Sequence, residues 1–193
     1  NNANINAIGI WEDKGITGRF VNYGIVTYGL PPTGLSNDMP VITGVGPFPY
    51  PATPFDINHF FYAGAKNNQD GRTGIAYNSN FYAASVAGGG LNCGSVPYCI
   101  YLAPELALYN LGSVMANPSL PNNQKGGVIV FPYVLGYYNA SGVLLFDAPF
   151  SAYRGVKDAI DTLVASNITV VLAAGNTNKN LSVLPTENPL VTV

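Results

Sequence analysis

Residues 156–176 constrain what this chain can fold into more than any other stretch. Val156, Ala159, Ile160, Leu163 and Val164 recur at i, i+3, i+4, i+7 and i+8, while Lys157, Asp158 and Asp161 fall on other faces. That spacing lines one side of a helix. The helix runs straight into Ile168-Thr-Val-Val-Leu-Ala-Ala-Gly-Asn176, an apolar and largely β-branched run that stops at Gly-Asn. A run with so little polar alternation is buried on both faces, and a helix feeding such a strand is half of a β-α-β unit. The expected class is therefore α/β, a mostly parallel central sheet flanked by helices, with Asn176 delivered to the lip of the sheet.

The remaining elements follow from local pattern. Ile5-Asn-Ala-Ile-Gly-Ile-Trp11 reads as a core strand that meets Glu12, Asp13 and a glycine turn at Gly15. In open α/β sheets, ligands and catalytic groups collect at the carboxyl ends of strands, which makes Glu12 and Asp13 candidates. Residues 27–54 hold seven prolines and read as one long irregular excursion, with a short strand around Pro40-Val-Ile-Thr43. Residues 55–67 suit a helix with Asp56 as N-cap and Phe60, Phe61, Ala63 and Gly64 packing inward. Strands are expected at 80–85 and 127–131, a helix at 104–115, a Tyr- and Gly-rich loop at 136–149, and the start of a further strand at 190–193.

Composition narrows the function classes. With 193 residues the chain suits one α/β domain. Only 9% of residues are charged, against roughly 25% in ordinary soluble domains. A net charge of −2 offers no basic field to nucleic acid or anionic lipid. No apolar run reaches the ~20 residues that span a bilayer. Solubility must rest on neutral polar groups, or on burial of the surface against partners. Cys93 and Cys99 bracket five residues and would close a small disulfide loop in an oxidising compartment, with two free thiols as the alternative. Asn139, Asn167 and Asn180 each begin an Asn-x-Ser/Thr glycosylation pattern. With the scarcity of charge, these features favour an extracellular or cell-surface protein, and a start at Asn1 suits a chain whose leader has been removed.

His59 is the only histidine. Any Ser–His or Cys–His mechanism must use it, and a multi-histidine metal site is excluded. Beside Phe60, Phe61 and Tyr62 it also suits a packed, non-catalytic role. No cofactor is called for. Loop carbonyls and Asn/Asp oxygens would suit calcium, but no run carries a dedicated ligand spacing.

Taken in order, residues 8–193 resemble the amino-terminal two-thirds of a subtilisin-like serine peptidase (subtilase) domain. Ile8-Gly-Ile-Trp-Glu-Asp-Lys-Gly-Ile16 resembles the strand ending in the family's catalytic Asp. Gly74-Ile-Ala-Tyr-Asn-Ser-Asn-Phe-Tyr-Ala-Ala84 resembles its Gly-Val-Ala-Pro strand, and Gly127-Val-Ile-Val-Phe131 the strand before its substrate-binding edge. Ile168 onward is similar to the strand whose Asn donates to the oxyanion, here Asn176, and Leu190-Val-Thr-Val193 to the strand after it. The resemblance implies Asp13 or Glu12 as orienting acid, His59 as base, and substrate paired near residues 131–136. The histidine segment departs from the family's His-Gly-Thr-x-Val-Ala-Gly. Aligning Ala63-Gly64 puts Asn58 at the base position and His59 one residue on, unless a residue is deleted in the turn. The nucleophile's Gly-Thr-Ser-x-Ala-x-Pro is absent; Gly112-Ser-Val-Met-Ala-Asn-Pro118 mimics it with Val114 in the serine's place, inside an expected helix.

Two functions follow from the resemblance. One is a secreted endopeptidase domain, incomplete at its carboxyl end, whose serine comes from a further carboxyl-terminal segment or a second chain and whose substrate is a peptide. The other is a catalytically inactive structural subunit of an extracellular or surface assembly.

Overall fold

The structure is a computed structural model that describes residues 7–32, 35–46, 50–66, 73–88, 101–102, 104–132, 136–138, 144–146, 154–173 and 191–192. The elements, in chain order, are α1 (Ala7–Lys14), β1 (Asn22–Thr27), β2 (Gly29–Leu30), β3 (Ile42–Val45), β4 (Tyr50–Pro51), α2 (Pro54–Gly64), β5 (Asn80–Ser85) and β6 (Ala87–Gly88). They continue with β7 (Tyr101–Leu102), α3 (Pro104–Met115), β8 (Gly127–Phe131), β9 (Gly136–Tyr138), β10 (Leu144–Phe146), α4 (Arg154–Ala165), β11 (Ile168–Leu172) and β12 (Val191–Thr192).

Six strands form one sheet in the order β3-β5-β1-β8-β11-β12, and every pairing in it is parallel. This is the expected α/β class. Successive strand residues point to opposite faces, and each face has its own helices. Ile25, Phe81 and Ala83 meet α2 through Phe60, with Met39 beside them. Val26, Ala84, Ile129, Phe131 and Val170 meet α3 and α4 through Leu108, Leu111, Met115, Ile160 and Leu163. In α4 the expected stripe is buried at Val156, Ala159, Ile160 and Leu163 and half-buried at Val164, while Lys157 pairs with Asp161 near solvent.

Three expectations need correction. Residues 7–14 form a helix rather than a core strand, and Ile8 and Ile10 are exposed at 62% and 42%. A short apolar run suits either state; here Ala7 and Trp11, one helical turn apart, are the half-buried pair. Trp11 donates from Nε1 to Ile75 O at 3.0 Å and stacks edge-on against Tyr77. The first core strand is β1 instead. Helix α2 is capped by Thr53, with Asp56 three residues on closing a reciprocal capping box. Lastly, the expected loop at 136–149 contains an antiparallel pair, β9 with β10.

The centre of the sheet is tied down at its amino end by polar groups. Asn22 is 1% exposed; its Nδ2 donates to Gln124 O at 2.7 Å and Gly126 O at 3.0 Å, and its Oδ1 accepts from Asn80 Nδ2 at 3.1 Å. One amide thereby joins β1, β5 and the entry to β8. Gly127 sits against the same residue: a Cβ there would lie 2.1 Å from Asn22 O, and its φ of +139° is one that side chains avoid.

Candidate functional site

The carboxyl edge of the sheet is where an α/β fold gathers chemistry. There β1 ends at Thr27, paired with Ser85 of β5, and β8 ends at Phe131, paired with Leu172 of β11. Thr27 is fully buried and donates from Oγ1 to Gly29 O at 3.0 Å. Ser85 Oγ donates to Tyr28 O at 3.0 Å. Asp56, also fully buried, accepts from Thr53 N and Thr53 Oγ1, both at 2.8 Å. Burial pushes the Tyr28 phenol up, and the Asp56 carboxylate adds to that rise.

Helix α2 therefore begins at the carboxyl edge and runs back along the sheet. One turn in, His59 Nε2 lies 2.6 Å from Tyr23 Oη. Tyr23 and Thr27 are four residues apart on one strand, roughly 13 Å. Burial lowers the His59 pKa, with the Asp56 carboxylate opposing the shift, and burial raises that of Tyr23 far above the ordinary phenol range. A neutral imidazole and a protonated phenol suit each other when Tyr23 Oη donates to Nε2. That ring nitrogen, which a general base would need for a nucleophile, is then occupied.

The close packing of α2 fixes its register. A Cβ on Gly64 would lie 2.1 Å from Phe81 Cζ, so only glycine fits where the helix crosses β5. The helix is continuous from Pro54 to Gly64. His59 is therefore one residue, or about 100° of helix, beyond Asn58. Asn58 itself is exposed.

Glu12 and Asp13 lie on α1, exposed, ahead of the first core strand rather than at its end. The structure brings His59 to Tyr23, not to either acid. Thr27 is not evident from propensity, because Asn22 and Gly24 make β1 look broken. A signal was present, since Gly24-Ile-Val-Thr-Tyr-Gly29 is an apolar run meeting a glycine turn. Asn176, Cys93, Cys99, Asn139 and Asn180 lie outside the described residues, as do residues 133–135 of the expected substrate edge. The strand towards Asn176 keeps its path as far as Ala173, whose N–H donates to Phe131 O at 3.1 Å. Among the described residues, no group of three or more His, Cys, Asp or Glu could hold a metal ion, and no helix is long and apolar enough to cross a membrane.

Known structures share this fold. The prenylagaramide maturation protease PagA matches over 90% of this chain and 52% of its own, at 12% identity and a TM-score of 0.50. MycP1 with its N-terminal propeptide removed matches over 90% and 48%, at 16% identity and 0.51. The Clostridium perfringens CspB protease matches over 88% and 39%, at 15% identity and 0.54. The fold is subtilisin-like. This chain spans about half the length of these proteins or less, and at such identities the likeness extends to the fold alone. No protein-family model and no curated protein matches the sequence.

The half-buried imidazole gives this fold a pH signature. His59 has a folded pKa below its unfolded value of about 6.5. Its contribution to stability is full above that unfolded value and is lost as pH falls through the folded one. The melting temperature of the wild type should therefore fall on acidification from neutrality, and His59→Gln should flatten that fall. Equal slopes for the two proteins would remove the assignment. Tyr23→Phe, which deletes the phenol's bond, should cost about 1 kcal/mol in urea unfolding at neutral pH.

Proposed function

We propose that this chain is a subtilisin-like domain that does not cleave peptide bonds and serves as a structural subunit of an extracellular or surface assembly. The observation that carries this reading is the half-buried His59–Tyr23 hydrogen bond, which engages the ring nitrogen a general base would need. Two further features support it. In the resemblance, the orienting acid ends the first core strand, and that strand ends here in Thr27, a buried hydroxyl bonded to its own turn. Aligned on Ala63-Gly64, the resemblance has Asn58, which cannot act as a base, in the histidine's place. A triad depends on all three members acting together, so loss of acid and base leaves little for Asn176 to assist. The shortage of charge, 9% of residues, suits a surface that is covered by partners.

The test is to treat the protein, as isolated from its source, with a fluorophosphonate probe and a fluorogenic peptide panel. No labelling and no turnover are expected, together with recovery in a large complex. Labelling of a serine that depends on His59 would overturn the proposal. It would favour the other reading, in which the peptidase names of the structural neighbours carry over and a serine outside these residues meets His59, Asp13 or Glu12, and Asn176.

A further inference from the structure

The sheet ends at β3. Among the described residues, β3 pairs with β5 on one side and with no strand on the other. Ile42 packs inward beside Phe60 and Phe81, whereas Thr43 and Gly44 are exposed, and Val41, just before the strand, is 80% exposed. Natural edge strands are usually blunted by a lysine, an internal proline or a bulge. Val41-Ile-Thr-Gly-Val45 has no charge and no proline. Where β3 and β5 begin, a cavity of about 320 Å³ opens, lined by Val41, Thr43, Lys66, Asn80 and Tyr82 among others. Lys66 is its one charged lining residue and makes no ion pair with a described residue.

We propose that the β3 edge and this cavity together bind an extended peptide ending in a free carboxylate. The strand would add antiparallel to β3, and its terminal carboxylate would meet Lys66. Main-chain pairing along an open edge supplies affinity, and capture of the terminus sets register. Direction follows from charge. The cavity lies at the amino end of β3, so only an antiparallel partner brings its carboxyl terminus there. A parallel partner would set its ammonium against Lys66. This site is separate from the His59–Tyr23 pair and from the carboxyl edge, so it stands whether or not the domain is a peptidase.

The experiment is a pair of hexapeptide arrays of random sequence, one displaying free carboxyl termini and the other the matching amides, overlaid with the full chain. Binding confined to free acids is expected, and Lys66→Met should weaken it about tenfold, the worth of one charge-assisted hydrogen bond. Backbone N-methylation at alternate positions of a bound peptide should also abolish binding. No binding to either array, equal binding to acids and amides, or undiminished binding by Lys66→Met would each overturn the proposal. Equal binding would indicate instead an edge that pairs with internal strands, such as those of a second copy of this chain.

Discussion

Gly127→Ala is expected to lower the unfolding free energy by about 3–5 kcal/mol, although it adds a single methyl group. Two costs combine. A φ of +139° lies in a region essentially reserved for glycine, so the backbone is strained by about 1–3 kcal/mol. The new Cβ would also lie 2.1 Å from Asn22 O and 3.0 Å from Met115 Cε, and the nearer of these is backbone and cannot swing aside. Overpacking of this kind costs about 1–3 kcal/mol more. Against a typical total of about 5–15 kcal/mol, the variant should unfold at a much lower urea concentration or fail to accumulate. Ile8→Ala, on the exposed face of α1, should stay within about 0.5 kcal/mol and serves as the control. A Gly127→Ala midpoint close to the control's would refute the clamp at the amino end of β8.

Asn22→Leu should cost about 3 kcal/mol despite similar volume and greater apolarity. Its amide supplies donors to Gln124 O and Gly126 O and an acceptor to Asn80 Nδ2, and leucine supplies none of them. Each group left buried without a partner costs about 1–3 kcal/mol, which outweighs the gain from a larger apolar side chain. Asn80→Ala, which removes one of these bonds, should cost about 1 kcal/mol. If Asn22→Leu instead proved neutral by calorimetry, the carbonyls it serves must find other donors, and the amide would not be what joins β1 to the entry of β8.

These same residues explain what could be read in the chain and what could not. Strands β5 and β8 and helices α3 and α4 follow from apolar runs, from 3.6-residue spacing and from prolines at helix starts. Such cues are local, and burial rewards them directly. The central strand β1 is hidden because Asn22 and Gly24 look like breakers by propensity. Their roles are tertiary: the amide serves carbonyls about a hundred residues away, and Gly24 makes room for Ile129 and Met115, whose side chains lie 3.0 Å from where its Cβ would be. With β1 hidden, the apolar run Ile5–Trp11 reads as the first core strand, and Glu12 and Asp13 stand where its acid would be. The contact of Gly64 with Phe81 is likewise tertiary, made between segments with no shared local pattern.

The placing of β1 at the middle of the sheet also sets a timetable for synthesis. Tyr23 pairs with Phe81 on one side and with Val128 on the other, and the second partner lies 105 residues later. At translation rates of about 5–20 residues per second, the first core strand spends on the order of 5–20 s outside the ribosome before its second neighbour is made. Throughout that interval Ile25 and Val26 have an unpaired edge beside them, in a nascent chain with little charge to keep copies apart. Such a chain would lean on chaperones during its manufacture more heavily than its finished form suggests. Variants that loosen the entry to β8 should therefore show first as reduced yield, before any change appears in the mature molecule.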